Sequence, residues 1–103
     1  MSPKKVTHCP IEKTLHMIVG KWKTIILWHL SSGTRRYGEL KKLIPLVSEK
    51  MLIQSLRALE KDTLIIRRAY AEIPPKVEYS LSSRGKSLSQ VICALDAWGR
   101  KNL

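Results

Sequence analysis

The chain has 103 residues, 44% of them hydrophobic, and its 19 Lys and Arg against 8 Asp and Glu give a net charge of +11. That length suits one domain with a genuine core, and a basic excess running from Lys4 to Lys101 points to a polyanion, first of all nucleic acid. Cys9 and Cys93 are too few for a disulfide scaffold or a structural zinc site, and neither a long apolar run nor a basic helix with an aromatic insertion face argues for a membrane.

Residues 1–8 read as a flexible basic arm; they lack the apolar core of a signal peptide, so a cytoplasmic location is expected. Residues 9–103 then form one domain. Pro10 suits the first position of a helix, where its missing N–H costs nothing. Ile11, Leu15, Ile18 and Val19 recur at helical spacing and Gly20 closes this helix. Lys21 to Ser32 is apolar nearly all round, through Trp22, Ile25, Ile26, Leu27, Trp28 and Leu30, which marks the central buried helix; Gly33 ends it. A short third helix is expected over Tyr37 to Ile44, with Leu40, Leu43 and Ile44 inward and Lys41 and Lys42 outward. Pro45 stops it, because proline disfavours the helical conformation in the residue before it. Leu46 and Val47 fill the turn.

The next helix, SEKMLIQSLRALEKD (Ser48–Asp62), separates into two faces at 100° per residue. Met51, Leu52, Leu56 and Leu59 fall on one side, and Lys50, Gln54, Arg57 and Lys61 almost directly opposite. Ser48 stands where an N-cap belongs. Two helices with a tight turn between them have the form of a helix-turn-helix, with the second as reader. Beyond Thr63, Leu64–Tyr70 is apolar and β-branched enough for a strand, and Lys76–Leu81 alternates with Val77, Tyr79 and Leu81 on one face. Ala71-Glu72-Ile73-Pro74-Pro75 between them is a stiff hairpin tip. Ser82 or Ser83 caps a last helix with an apolar stripe of Leu88, Val91, Ile92, Leu95 and Trp98. The fold class is therefore mainly α with a small β-hairpin (α+β): a winged helix-turn-helix with flanking helices for dimerisation.

In that architecture Lys50, Gln54 and Arg57 are candidate readers of base edges, since Arg and Lys can bond guanine O6 and N7 and Gln can pair with adenine. Ile53 lies beside them, within reach of a thymine methyl. Ser48 and Lys61 are placed for phosphate at the two ends of the helix. Arg67, Arg68 and Lys76 lie on or beside the wing, where Arg can follow the backbone or enter a narrow minor groove. Arg35 and Arg36 before the third helix are further phosphate candidates, assisted by Lys21 and Lys23. Against this stands a plainer account, in which the charges solvate an outer face or one wing cation balances Glu72 or Glu78 across the hairpin. The stripe on the last helix is longer than one small domain needs. Leu88, Leu95 and Trp98, with Ile11 and Leu15, are candidates to bury against a twin, which would match a palindromic operator read about 34 Å apart, while the chain's own core takes some of them.

Cys9 lies at or just before the first helix, near Lys4, Lys5, His8 and Lys13, a setting that favours the reactive thiolate; the plainer account is a small half-buried residue with no chemistry. Cys93 lies off the stripe and reads as an ordinary packed or partly exposed thiol. His8, His16 and His29 have no ligand spacing with acids or cysteines, so no metal or other cofactor is expected.

Cys9-Pro10, GKWKTIIL (Gly20–Leu27), RRYGELKKLIP (Arg35–Pro45), SEKMLIQSLRALEKD, EIPPKVEYSLSSRG (Glu72–Gly85) and ALDAWG (Ala94–Gly99) together resemble the HxlR-type transcriptional regulators, relatives of the MarR group. The resemblance covers nearly the whole chain beyond residue 8. It implies a winged helix-turn-helix that binds operator DNA as a homodimer paired through its first and last helices. It also implies a candidate oxidant or electrophile sensor at Cys9, because responsive members of the family use a cysteine near the N-terminus. Two positions depart from the pattern. Thr63 stands where the family usually has Gly, and would be strained if that turn needs positive φ; Tyr37 stands for a usual Phe.

The function expected is thus a sequence-specific, DNA-binding transcriptional regulator, open to a small-molecule or oxidant signal. A winged-helix module for protein or RNA is the alternative, although such modules usually lose the basic stripe. No Gly-rich phosphate loop, paired acids or Ser/His/Asp set supports an enzyme.

Overall fold

Residues 9–103 are described by the structure, a computed structural model; the basic arm expected over residues 1–8 lies outside them. The order is α1 (Pro10–Ile18), α2 (Lys21–Leu30), β1 (Arg35–Arg36), α3 (Tyr37–Leu43), α4 (Glu49–Lys61), β2 (Ile65–Tyr70), β3 (Lys76–Leu81) and α5 (Ser83–Asn102). The three strands form an antiparallel sheet in the order β1-β3-β2.

The core gathers on α2. Ile26, Leu27 and Leu30 are fully enclosed, and Leu40 of α3, Val47 of the turn, Leu52, Leu56 and Leu59 of α4, and Tyr79 and Leu81 of β3 close over them. This is the all-round apolar helix that the sequence places at the centre. Gly20, between α1 and α2, has φ +104, a conformation open to glycine and costly to other residues.

Four local expectations are corrected. Arg35–Arg36, taken as a lead into α3, is a short strand paired with β3, Arg35 opposite Tyr79 and Arg36 opposite Glu78. Leu43 and Met51, both expected inward, are each 40% exposed, and the small hydroxyl residue Ser55 takes the buried place on α4 instead. Leu46 stands out into solvent while Val47 alone fills the turn. Leu64, expected in a strand, closes the turn after α4: its N–H donates to Leu59 O at 3.0 Å while the Thr63 N–H donates to Glu60 O at 2.9 Å. That pair of bonds is a Schellman closure, which needs a left-handed residue at its centre. Thr63 supplies it at φ 60, so the strain anticipated for a β-branched residue is present.

Candidate nucleic-acid interface

The reading helix is built from its cap outward. The Ser48 hydroxyl accepts from the Met51 N–H at 3.1 Å, satisfying one orphan donor of the first turn, and leaves its own proton free to donate to a phosphate. Leu52, Leu56 and Leu59 seat α4 on α2 and β2. Lys50, Gln54, Arg57 and Lys61 are all exposed on the other side, within a stripe about 60° wide. Among the described residues none of Lys50, Arg57, Lys61 and Arg67 is in an ion pair, so the stripe keeps its positive charge toward solvent.

Two clefts flank that stripe. One, of about 210 Å³, sets Gly20 to Lys23 at the start of α2 against Met51, Gln54 and Ser55. Lys21 and Lys23 thus border the first half of the reading helix, and Lys21 Nζ lies 4.8 Å from the centre of the Trp22 ring. The other, of about 330 Å³, lies between α4 and the wing and is lined by Ile53, Arg57, Glu60, Arg67 and Tyr79. It brings together Arg57 and Arg67, ten residues apart in sequence, beside one carboxylate that the sequence reading missed. Glu60 follows Arg57 by three positions, a spacing that puts both on one helix face.

The other sequence-nominated cations divide. Arg35 is half-buried and turned inward: Nε donates to His29 O at 3.4 Å and Nη2 to Ser32 Oγ at 3.0 Å, so it ties down the end of α2 instead of standing free for phosphate. Burial and then the Arg35 charge lower the His29 pKa below the ordinary imidazole value of 6.5. Arg36 remains exposed, with its backbone N–H donating to Glu39 Oε1 at 2.7 Å. Lys76 lies 3.9 Å from Glu72 and 3.6 Å from Glu78, and 4.5 Å over the Tyr70 ring, the balancing role weighed against a DNA contact. Arg67 and Arg68 occupy opposite faces of the wing, since Arg67 pairs across with buried Tyr79 and Arg68 with Glu78.

The residues nominated for a twin carry unmet apolar surface. Ile11 is 69% exposed, Leu15 56%, Leu95 54% and Trp98 61%, while Leu88 is half-buried and only Ile92 of the α5 stripe is enclosed. Cys9 occupies the N-cap of α1 and is exposed, as is Cys93. Among the described residues no group of three or more His, Cys, Asp and Glu side chains could hold a metal ion, and no helix is long and apolar enough to cross a membrane.

Three helices, a capped reading helix and a paired wing define a winged helix-turn-helix protein. Residues 17–103 match the family described as HxlR-like helix-turn-helix. The uncharacterized HTH-type transcriptional regulator YtcD of Bacillus subtilis (strain 168) is 48% identical over 100 residues, 97% of this chain and 79% of that protein. Among solved structures, a MarR-family protein from Porphyromonas gingivalis W83 superposes with a TM-score of 0.90 at 39% identity, covering 97% of this chain and all of that one. The redox regulator HypR in its oxidized form gives 0.88 at 40% identity, covering 92% of this chain and 98% of that one. The chain belongs to the HxlR-like helix-turn-helix family of transcriptional regulators.

Proposed function

We propose that the protein regulates transcription by binding a palindromic operator as a homodimer, with residues 9–103 acting as one DNA-binding and dimerising unit. The observation that carries this reading is the exposed, unpaired stripe of Lys50, Gln54, Arg57 and Lys61 on a helix whose other face is buried. Lys50, Gln54 and Arg57 read base edges; Ser48, Lys61, Arg36, Lys21 and Lys23 hold phosphate; Arg67 is the wing's contact on the α4 side. The exposed apolar faces of α1 and α5 support the twin, because separate burial would leave both wet. Footprinting on the DNA upstream of its own gene at two salt concentrations tests the reading. A protected site that weakens steeply with salt is expected; equal affinity for all sequences refutes it.

Cys9 adds a redox input in this reading. It is exposed at the start of a helix belonging to the dimer face, and HypR, a regulator solved in oxidized and reduced forms, is similar over nearly the whole chain. A peroxide would convert the thiol to a sulfenic acid and itself be reduced to an alcohol or water. Mild peroxide should change operator affinity in the wild type and not in Cys9→Ser; an equal change in both removes Cys9 from the switch.

A further inference from the structure

A third cleft, of about 570 Å³, lies where the wing sheet meets the end of α2 and the first turns of α5. Strand alternation divides its wing residues: core-facing Leu81 lines it, with Leu30 of α2, beside Ile66, Arg68 and Ser80. Ile65, Arg67 and Ala69 pair with Leu81, Tyr79 and Val77, of which Tyr79 and Leu81 are buried, so Ile66, Arg68 and Ser80 point the other way. The end of α2 and the β1 approach supply Thr34, and the first turns of α5 supply Lys86 and Ser89. Arg68 from the wing and Lys86 from α5 thus line one cleft, and among the described residues neither has an ion-pair partner. Glu78, the residue opposite Arg68, is engaged by Lys76 at 3.6 Å.

The contents of this cleft select a ligand. Two cations facing one space match a dianion, and a phosphate monoester carries about −1.5 to −2 at neutral pH, whereas a monocarboxylate would leave one cation unmatched. The Thr34 and Ser80 hydroxyls suit a hydroxylated body. Ile66, with the edges of Leu30 and Leu81, offers an apolar patch for its C–H face. The volume falls in the range of small-metabolite sites, about 300–1,000 Å³, and is larger than a bare ion fills.

We propose that this cleft binds a small hydroxylated phosphate monoester, with the phosphate held between Arg68 and Lys86. Because these two residues belong to the wing and to the helix that follows it, an occupant couples wing position to α5. Arg36, given a phosphate role above, lies on the same sheet face as Arg68, since both pair with Glu78; the cleft's binding chemistry does not depend on the operator reading.

Glucose 6-phosphate is the probe, titrated into the full chain without DNA and followed by calorimetry and amide chemical shifts; inorganic phosphate and glucose are the comparisons. The expected result is saturable binding of glucose 6-phosphate with shifts at Ser80, Lys86 and Ser89, weaker binding of phosphate there, and none of glucose. Arg68→Gln and Lys86→Gln should each weaken binding about tenfold. Lys101→Gln, which removes the same charge at the far end of α5, should not. Phosphate binding as tightly as glucose 6-phosphate would reduce the site to an inorganic anion site and overturn the proposal. So would an absence of saturation, or binding that survives both cleft substitutions. Duplex binding separates a DNA phosphate from a metabolite: Lys86→Gln should leave duplex affinity unchanged, and a loss there assigns the cleft to DNA.

Discussion

Replacing Thr63 by Ala and by Gly separates two opposing contributions at the end of the reading helix. Its backbone sits at φ 60, which costs a residue with a Cβ about 1–2 kcal/mol. Its hydroxyl donates to Asp62 O at 2.6 Å and accepts from Arg84 Nη1 at 3.0 Å, exposed bonds together worth about 0.5–1 kcal/mol. Thr63→Ala keeps the strain and loses the bonds, so it should be less stable than wild type by about 0.5–1 kcal/mol. Thr63→Gly loses the same bonds but relieves the strain, offset by about 0.5–1 kcal/mol of extra freedom in the unfolded chain. Gly should therefore exceed Ala by roughly 0.5–1 kcal/mol, with a midpoint several degrees higher. Urea unfolding followed by tryptophan fluorescence, at one protein concentration and with an unchanged m-value, measures the difference. Ala equal to or more stable than Gly would show that the turn does not hold Thr63 in the left-handed region.

Four further substitutions probe packing and protonation. A Cβ at Gly85 would run into the Leu64 carbonyl oxygen, whereas one at Gly38 meets nothing. Gly85→Ala should thus lower the thermal midpoint, while Gly38→Ala, inside α3, should raise stability by about 0.5–1 kcal/mol; a rise in both would contradict the close approach of α5 to Leu64. The Tyr37 hydroxyl is buried and, among the described residues, has no partner in good hydrogen-bonding geometry, although the Glu49 carboxylate comes near enough to act on it; burial first, then Glu49, push its pKa above 10.0. Tyr37→Phe should be neutral or stabilising by about 1 kcal/mol in denaturant titration, and a marked loss would mean the hydroxyl is bonded. His29 has a lowered pKa in the fold, so the unfolded chain binds more protons as pH falls below 6.5, and stability should drop there. His29→Gln should flatten that part of the stability profile; an unchanged slope would assign it to other groups.

Much of the fold is legible in the residues because its signals are periodic. The two-faced α4, the apolar α2 and the alternation of β3 each repeat over several turns or pairs, and the observed bounds follow them. β1 could not be read that way: two residues hold no period, and their pairing depends on β3, more than forty positions later. Leu43 and Met51 failed as core residues because the apolar arc of each helix is wider than the face its neighbours cover, and Ser55 lies beside the cleft where α4 meets the start of α2. For the site, residue type and helical phase bring out Lys50, Gln54, Arg57 and Lys61. They do not show that Arg35 turns back onto His29 and Ser32, nor that Arg67 and Arg68 part across the sheet. The third cleft depends on three segments meeting and has no contiguous motif.

The end of α4 and the start of α5 are joined more firmly than a turn requires. Ser82 Oγ donates to Thr63 O at 2.6 Å and accepts from the Gly85 N–H at 3.0 Å, and the Ser82 N–H donates to Leu64 O at 3.1 Å. Arg84 adds a bond to Asp62 O at 3.1 Å and reaches Met17 Sδ of α1 at 3.5 Å. The reading helix is thereby tied to the two helices whose apolar faces stand exposed. If those faces pair, a rotation of α5 against its twin moves α4 with it, because few soft torsions lie between them. Arg84→Ala should then loosen spacing discrimination, measured as operator affinity against half-site separation, more than it lowers affinity for the best site. An equal loss at every spacing would show that the tie holds the fold and does not transmit the position of α5.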